Sequence, residues 1–379
     1  MRILLTAYVR FSNALTWHTF ELAGGFHRAG HEVLLLCQRG SPLAKRLASA
    51  PFQTHSDFNL NRATPRDVIG GLRTMRRVLR EFKPDILNPH CPPGHSYSAL
   101  VRLLQGSRVP LIRTIADPRP PQRNPINFWL HRHHTDGVLF TTQSSLRRYE
   151  NTFNQFPSRA KVILPGFRAR DFSDEIKPSG LRQRLGLKET DLLAGVIARM
   201  SPEKGQEVLL EALSLLEPSE RESVFVVIAG EDSRERGHRD LQALAERFGV
   251  HRRIQFLGKL DDVRPTMAEL DVGIITSTRS EAICRVGLEY MSFGKPVITS
   301  DVNILPEVVQ DGVSGWTFRN RDAHGLAKCL RDCLHHPDKR RSYGERGREI
   351  VRGALHLDHE VEETLAFYQE VMAAKRRTV

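Results

Sequence analysis

The chain has 379 residues and a hydrophobic fraction of 40%, too long for one ordinary core and suited to two domains. No apolar run approaches the ~18 residues needed to span a bilayer, and the early run of Met1–Thr6 gives way at Val9-Arg10 with no small-residue cleavage site, so it reads as a first strand and not a secretory leader. A net charge of +12 calls for an anionic partner or else a solvated basic surface; with aromatics at 7% and no nucleic-acid-binding signature, a membrane surface or a phosphorylated acceptor is a stronger candidate than nucleic acid.

Short β-branched runs alternate with helical periods through the first half. Strands are expected at Arg2–Tyr8, Glu32–Cys37, Asp85–Pro89, Leu111–Ile115, Gly137–Thr141 and Val162–Leu164. Between the first two, Leu15–Ala29 has helical spacing and ends at Gly30, a natural position just past a helix. Val68, Ile69, Leu72, Met75, Val78, Leu79 and Phe82 recur at a helical period, and Arg73, Arg76, Arg77, Arg80 and Lys83 crowd the outer side of that helix, about Asp67–Lys83. Further basic residues follow at Arg113, Arg119, Arg123, Arg132, Arg147 and Arg148, with Phe128-Trp129-Leu130 among them. The two aromatics read either as core or as an exposed membrane anchor.

Pro165-Gly166-Phe167 through Pro178-Ser179-Gly180 is turn-rich and reads as an interdomain linker. Beyond it the alternation restarts, with strands at Asp191–Ala198, Val224–Ala229, Ile254–Phe256, Val272–Thr276, Pro296–Ser300 and Gly315–Phe318, and a last helix at about His359–Lys375. The pattern predicts an α/β chain of two doubly wound Rossmann-like parallel-sheet domains facing a central cleft. The expected boundaries are 1–165, 166–358 and 359–379, the last being a helix that crosses back toward the first domain. The five cysteines contain no Cys-x-x-Cys pair, so neither a disulfide framework nor a zinc site is expected, and a reducing cytoplasm is favoured.

Neither half carries a Gly-x-Gly-x-x-Gly turn, which disfavours a nicotinamide cofactor, and Gly294-Lys295 lacks the upstream glycine of a phosphate loop. Arg199 and Lys204 stand on one loop after a predicted strand. Such a pair can neutralise a departing diphosphate in place of a metal; the plainer reading of Ser201-Pro202-Glu203 is a helix start. Glu281 and Glu289 stand eight residues apart. Eight residues of helix turn through about 800°, leaving the side chains roughly 80° off a common face. They share a ligand only if Glu281 lies on the loop before the helix and Glu289 within it, with the helix N-terminus aimed between them.

Arg199–Gly205, the Glu281/Glu289 pair with Gly294-Lys295-Pro296-Val297-Ile298, and Pro306–Gly315 resemble the family 4 glycosyltransferases, as do weaker echoes in Gly30-His31-Glu32-Val33, Pro84-Asp85-Ile86-Leu87 and Val162–Phe167. The resemblance covers essentially the whole chain. It implies the GT-B fold and a retaining, metal-independent glycosyltransferase, similar to lipopolysaccharide-core or glycolipid enzymes. Such an enzyme moves a sugar from a nucleotide-diphosphate donor to a glycan or glycolipid acceptor, needs no cofactor beyond that co-substrate, and works in the cytoplasm or peripherally on the inner face of the membrane.

The resemblance implies that Arg199 and Lys204 grip the diphosphate, Glu281 contacts the donor sugar and Glu289 the ribose. Main-chain amides at Arg285, Val286 and Gly287 would face the phosphates, and Gly230 and Leu257 would border the nucleotide. On the acceptor side, many members have a His where this chain has Ala116; Asp117, His90 or His95 are candidate substitutes, the two histidines reading equally as ordinary loop residues. Asn13 is a candidate contact to donor phosphate or acceptor, or a helix cap along with Ser12. Ala282 and Cys284 stand where the family often has glycines. Competing readings are a non-catalytic nucleotide-sugar-binding subunit and a GT-B epimerase.

Overall fold

The computed structural model describes residues 1–8, 14–47, 49–58, 64–117, 119–153, 159–169, 172, 175–279 and 281–377. The chain divides into two compact units, the first made of Met1–Gly166 with Leu357–Val379, the second of Phe167–His356. The sequence-derived boundaries lie within two residues of these divisions.

The strands of the first unit are β1 (Arg2–Ala7), β2 (Glu32–Gln38), β3 (Gln53–Phe58), β4 (Ile86–Pro89), β5 (Ile112–Ile115), β6 (Gly137–Phe140) and β7 (Ala160–Val162). They run parallel in the order β3-β2-β1-β4, and a bridge between Leu87 and Leu111 carries the array on into β5-β6-β7. Alternate residues of β1 and β2 serve opposite faces. Ile3, Leu5, Val33 and Leu35 pack with Phe26, Val361, Phe367 and Tyr368, while Leu4, Leu34 and Leu36 pack with Met75, Val78, Leu79 and Phe82.

Strand β3 is absent from the sequence expectation. It is an edge strand in which Gln53 and Thr54 are exposed and Phe58 is buried, so it needs no apolar run. Strand β7 begins two residues before the expected Val162, because Val138 pairs with Ala160 and Phe140 with Val162.

The last helix, Leu357–Arg377, belongs to the first unit, held by buried polar contacts as well as its apolar face. Glu360 accepts the Gly166 N–H at 2.7 Å, and its other oxygen lies 2.6 Å from His18 Nε2. Tyr368 Oη donates to Asn88 Oδ1 at 2.7 Å.

The second unit repeats the plan with β8 (Leu192–Ile197), β9 (Val224–Ala229), β10 (Ile254–Gly258), β11 (Val272–Ile275), β12 (Val297–Ser300) and β13 (Gly315–Phe318), all parallel in the order β10-β9-β8-β11-β12-β13. In each unit the first and fourth strands are neighbours, and the order reverses between them. A crevice opens at that point, outside the carboxyl ends of the strands, where open α/β sheets hold ligands. No described helix is long and apolar enough to cross a membrane.

Candidate active site

In the second unit the reversal falls between β8 and β11, so the loops that follow these strands flank one crevice. The first loop, after Ile197, turns through a 3₁₀ segment at Pro202–Lys204 and leaves it at Gly205, whose φ is +62°. The second, after Ile275, lies against it. Thr276 Oγ1 donates to the Lys204 carbonyl at 2.7 Å, Thr278 N to the Glu203 carbonyl at 2.8 Å, and Thr278 Oγ1 to the Pro202 carbonyl at 3.1 Å.

This zipper fixes the backbone of Lys204, and its ammonium pairs with Glu281 Oε1. Ser277 Oγ donates to the same carboxylate oxygen at 2.5 Å, and Ser300 Oγ anchors the Ser277 carbonyl at 2.6 Å. Glu281 is nearly buried and Lys204 half-buried, whereas Arg199 is exposed and forms no ion pair among the described residues. Of the two predicted cations, one is therefore committed to Glu281 and the other faces solvent.

Glu281 stands on the loop and Glu289 within the helix Arg285–Ser292, the division that eight-residue spacing demands of a shared site. Cys284 precedes the helix in the left-handed region, φ +56°. Glycine enters that region without steric cost, whereas Cys284 carries a side chain there.

Arg285 Nε donates to Glu289 Oε1 at 2.7 Å. Burial pushes the Glu289 carboxyl above its ordinary value, and the Arg285 charge opposes that push without cancelling it. Tyr290 buttresses the helix against β8: its hydroxyl donates to the Gly195 carbonyl and accepts the Ile197 N–H, each at 3.0 Å.

Gly230 closes β9 where a Cβ would lie 2.0 Å from the Ala198 carbonyl oxygen, so only glycine lets this strand end meet the Arg199 loop. Its N–H donates to the Gly258 carbonyl at 2.8 Å, beside the half-buried Leu257.

On the first unit, Asn13 lies outside the described residues, as does most of the loop before it. His90 follows β4 at the reversal point of that sheet. Its Nε2 is 2.8 Å from Asn88 Oδ1 and its Nδ1 3.4 Å from Thr19 Oγ1. Burial, with His18 and Arg113 nearby, holds its imidazole neutral. Ala116 is buried at the end of β5.

Burial works against the Asp117 charge, but hydrogen bonds from the Arg119 guanidinium, at 2.6, 2.9 and 3.0 Å, and from its backbone N–H, at 3.0 Å, hold its carboxyl below the ordinary value. His95 is corrected to a core residue: it is buried, 2.8 Å from Thr135 Oγ1 and edge-on to His131. The two aromatics divide. Phe128 packs against Phe153, while Trp129 is 41% exposed and stacks on His134.

Residues 180–350 match the family described as Glycosyl transferases group 1, and residues 15–169 match Glycosyltransferase Family 4. The chain belongs to the family 4 glycosyltransferases, with the GT-B fold. Among its relatives are D-inositol 3-phosphate glycosyltransferase of Thermobifida fusca, 31% identical over 64% of this chain and 57% of that protein, and the lipopolysaccharide glucosyltransferase WaaG of Escherichia coli K12, 26% identical over 56% and 57%. In both, the match spans little more than half of the relative. HepE of Anabaena, solved in complex with UDP-glucose, superposes with a TM-score of 0.77 at 22% identity, covering 97% of this chain and 99% of that one.

In this glycosyltransferase Lys204 meets Glu281 ahead of the helix that carries the Arg285–Glu289 pair, and Gly230 lies against the backbone of Ala198 and Arg199. Sequence reasoning missed Ser277 and Tyr290. Thr276-Ser277-Thr278, a run of hydroxyls at a strand end, was the available signal for the first. Tyr290 reads in sequence as one more apolar residue of the helix.

Proposed function

We propose that this glycosyltransferase is a retaining, metal-independent enzyme that takes a nucleotide-diphosphate sugar as donor and extends a glycan or glycolipid of the cell envelope, of the lipopolysaccharide kind. One observation carries the reading: a hydrogen-bonded Lys204–Glu281–Ser277 cluster and an Arg199 with no ion pair among the described residues stand on the two loops of a switch-point crevice, beside the N-terminus of the helix Arg285–Ser292.

Arg199 and Lys204 supply the positive charge that a departing diphosphate requires, and the helix dipole adds to it. Glu281 holds donor-sugar hydroxyls and Glu289 the ribose. The acceptor oxygen attacks from the face the diphosphate leaves, which preserves anomeric configuration without a covalent intermediate. HepE was solved with UDP-glucose, so uridine diphosphate sugars are the first donors to try, ahead of guanosine and adenosine analogues. A donor at ~100 times its dissociation constant should add about 2.7 kcal/mol to stability. With the stabilising donor, Glu281→Gln should lower kcat/KM about 30- to 150-fold, the equivalent of ~2–3 kcal/mol. Unchanged turnover in that variant, or full loss of turnover on metal chelation, would refute the scheme.

Exposed Trp129 and Ile126 close in sequence to Arg119, Arg123 and Arg132 support peripheral contact with an anionic membrane from a cytoplasmic location. Co-sedimentation with anionic liposomes at moderate salt tests this, and a protein left wholly in the supernatant refutes it.

A further inference from the structure

At the amino edge of the first unit's sheet, opposite its switch point, lies a second cavity of about 820 Å³. Its walls carry Arg108, Arg132, His133, Arg159, Lys375 and Arg376, drawn from the segments that lead into β5, β6 and β7 and from the end of the last helix. Among the described residues only two carboxylates, Asp85 and Asp136, share the lining, and both are engaged. Asp85 accepts the Arg2 N–H at 2.7 Å; Asp136 accepts both Lys375 contacts at 2.7 Å, the Arg102 guanidinium and the Leu111 N–H at 2.8 Å. Arg108, Arg159 and Arg376 form no ion pair among the described residues.

Leaving Arg132 aside, four Lys and Arg side chains against two carboxylates leave an excess of two positive charges around one cavity. Helix ends offer some compensation, because Pro92–Leu104, Pro125–His133 and Leu357–Arg377 all terminate at this edge. Each C-terminus carries only about half a negative charge, and its influence fades within the last turn. Three helix ends therefore fall short of two full charges. Val109, Val371 and Met372 add an apolar part to the lining, so the cavity can take a ligand with a carbon skeleton behind its charge.

We propose that this cavity binds a phosphate-bearing polyanion at a site separate from the donor crevice. Guanidinium groups suit this ligand because their planar donors match phosphate oxygens two at a time. The same chemistry is presented by an anionic phospholipid headgroup and by a soluble phosphate ester. This site does not depend on which donor the second unit takes.

The test compares Arg108→Gln/Arg159→Gln/Arg376→Gln with a charge-matched control, Arg73→Gln/Arg76→Gln/Arg80→Gln, on the exposed face of the helix Pro65–Phe82. Both sets remove exposed or half-buried side chains, and melting temperature and far-ultraviolet circular dichroism verify that each chain is folded. One arm titrates pyrophosphate calorimetrically into full chains that also carry Arg199→Ala/Lys204→Ala, which removes the cations of the donor crevice. The other sediments the protein with phosphatidylcholine vesicles, with and without phosphatidic acid.

A soluble ligand class is indicated if pyrophosphate binds at one site and the cavity triple weakens it by at least about tenfold while the control does not. A lipid headgroup is indicated if the cavity triple alone lowers affinity for phosphatidic acid vesicles, by about 100-fold for three charges at a membrane surface. The site is overturned if neither probe binds, or if both triples weaken binding equally, since that would mean diffuse charge.

Discussion

Gly205 joins the two loops of the donor crevice, and its replacement by alanine has an effect that can be worked from two separate causes. At φ +62° an alanine meets the left-handed penalty, about 1–2 kcal/mol. Its Cβ would also stand 2.3 Å from the Thr276 carbonyl oxygen and 2.7 Å from Thr278 Cγ2. The first of these is a backbone atom that cannot rotate away, so the loops must part. Overpacking of this kind costs about 1–3 kcal/mol.

The sum is about 2–5 kcal/mol. For a unit of this size that is a fall in melting temperature of roughly 5–15 °C. Gly186→Ala separates the causes, because Gly186 has φ +64° with nothing within 4 Å of its Cβ. That variant should pay the conformational penalty alone and keep its turnover. Gly205→Ala should lose both stability and kcat/KM, since parting the loops breaks the Thr276–Lys204 hydrogen bond that aims the ammonium at Glu281. Urea titrations of both variants give the comparison. Equal losses in the two would refute the contact between loops as the source of order in the site.

Arg285→Ala should destabilise the protein by about 1–2 kcal/mol at pH 7, a figure reduced from that of a fully buried pair because Arg285 is 40% exposed. The loss should shrink as the pH falls, because the raised Glu289 carboxyl takes up a proton earlier than an ordinary glutamate and then no longer needs the cation; a loss independent of pH would count against the pairing. Glu360→Ala should cost about 2–5 kcal/mol in the unfolding of the first unit, because it orphans the buried Gly166 N–H and the buried His18 ring together; a loss below 1 kcal/mol would refute that bookkeeping.

Acid should weaken the first unit through its buried histidines. Burial, with the Arg113 charge adding to it, pushes His131 down to about 3 and His90 and His95 well below 6.5. Between pH 6.5 and about 4.5 the unfolded chain binds protons that the fold refuses, so stability falls with pH by up to about 1.4 kcal/mol per pH unit for each histidine. His131→Phe, which keeps the ring contacts with Tyr149 and Phe153, should remove one share of that slope in urea titrations run from pH 7 to 5. A flat profile in the parent chain would refute it.

The parallel strands were readable in the sequence because burial on both faces forces each of them into an unbroken apolar run bounded by turn residues. Strand β3 escaped because an edge strand is held by its backbone, and Gln53-Thr54-His55-Ser56 obeys no such rule. The site divides along the same line. Glu281, Glu289, Arg199 and Lys204 stand out as residue types in short motifs, and the eight-residue spacing calls for a loop followed by a helix if the two carboxylates share a ligand.

What those motifs do not contain is pairing. Lys204 and Glu281 are 77 residues apart, and nothing local to either says that the cation assigned to phosphate rests against the carboxylate assigned to sugar. His95 shows the converse: beside His90 in sequence, it reads equally as a site residue and as an ordinary loop histidine, and it is neither. One turn into the helix Pro92–Leu104 its side chain points into the core and reaches Thr135, while His90 stays at the strand end. Catalytic residue types are a local property of the sequence, but their arrangement follows from which strand ends the sheet order makes adjacent. Here that order places β8 beside β11, and the Lys204–Glu281 contact follows from it.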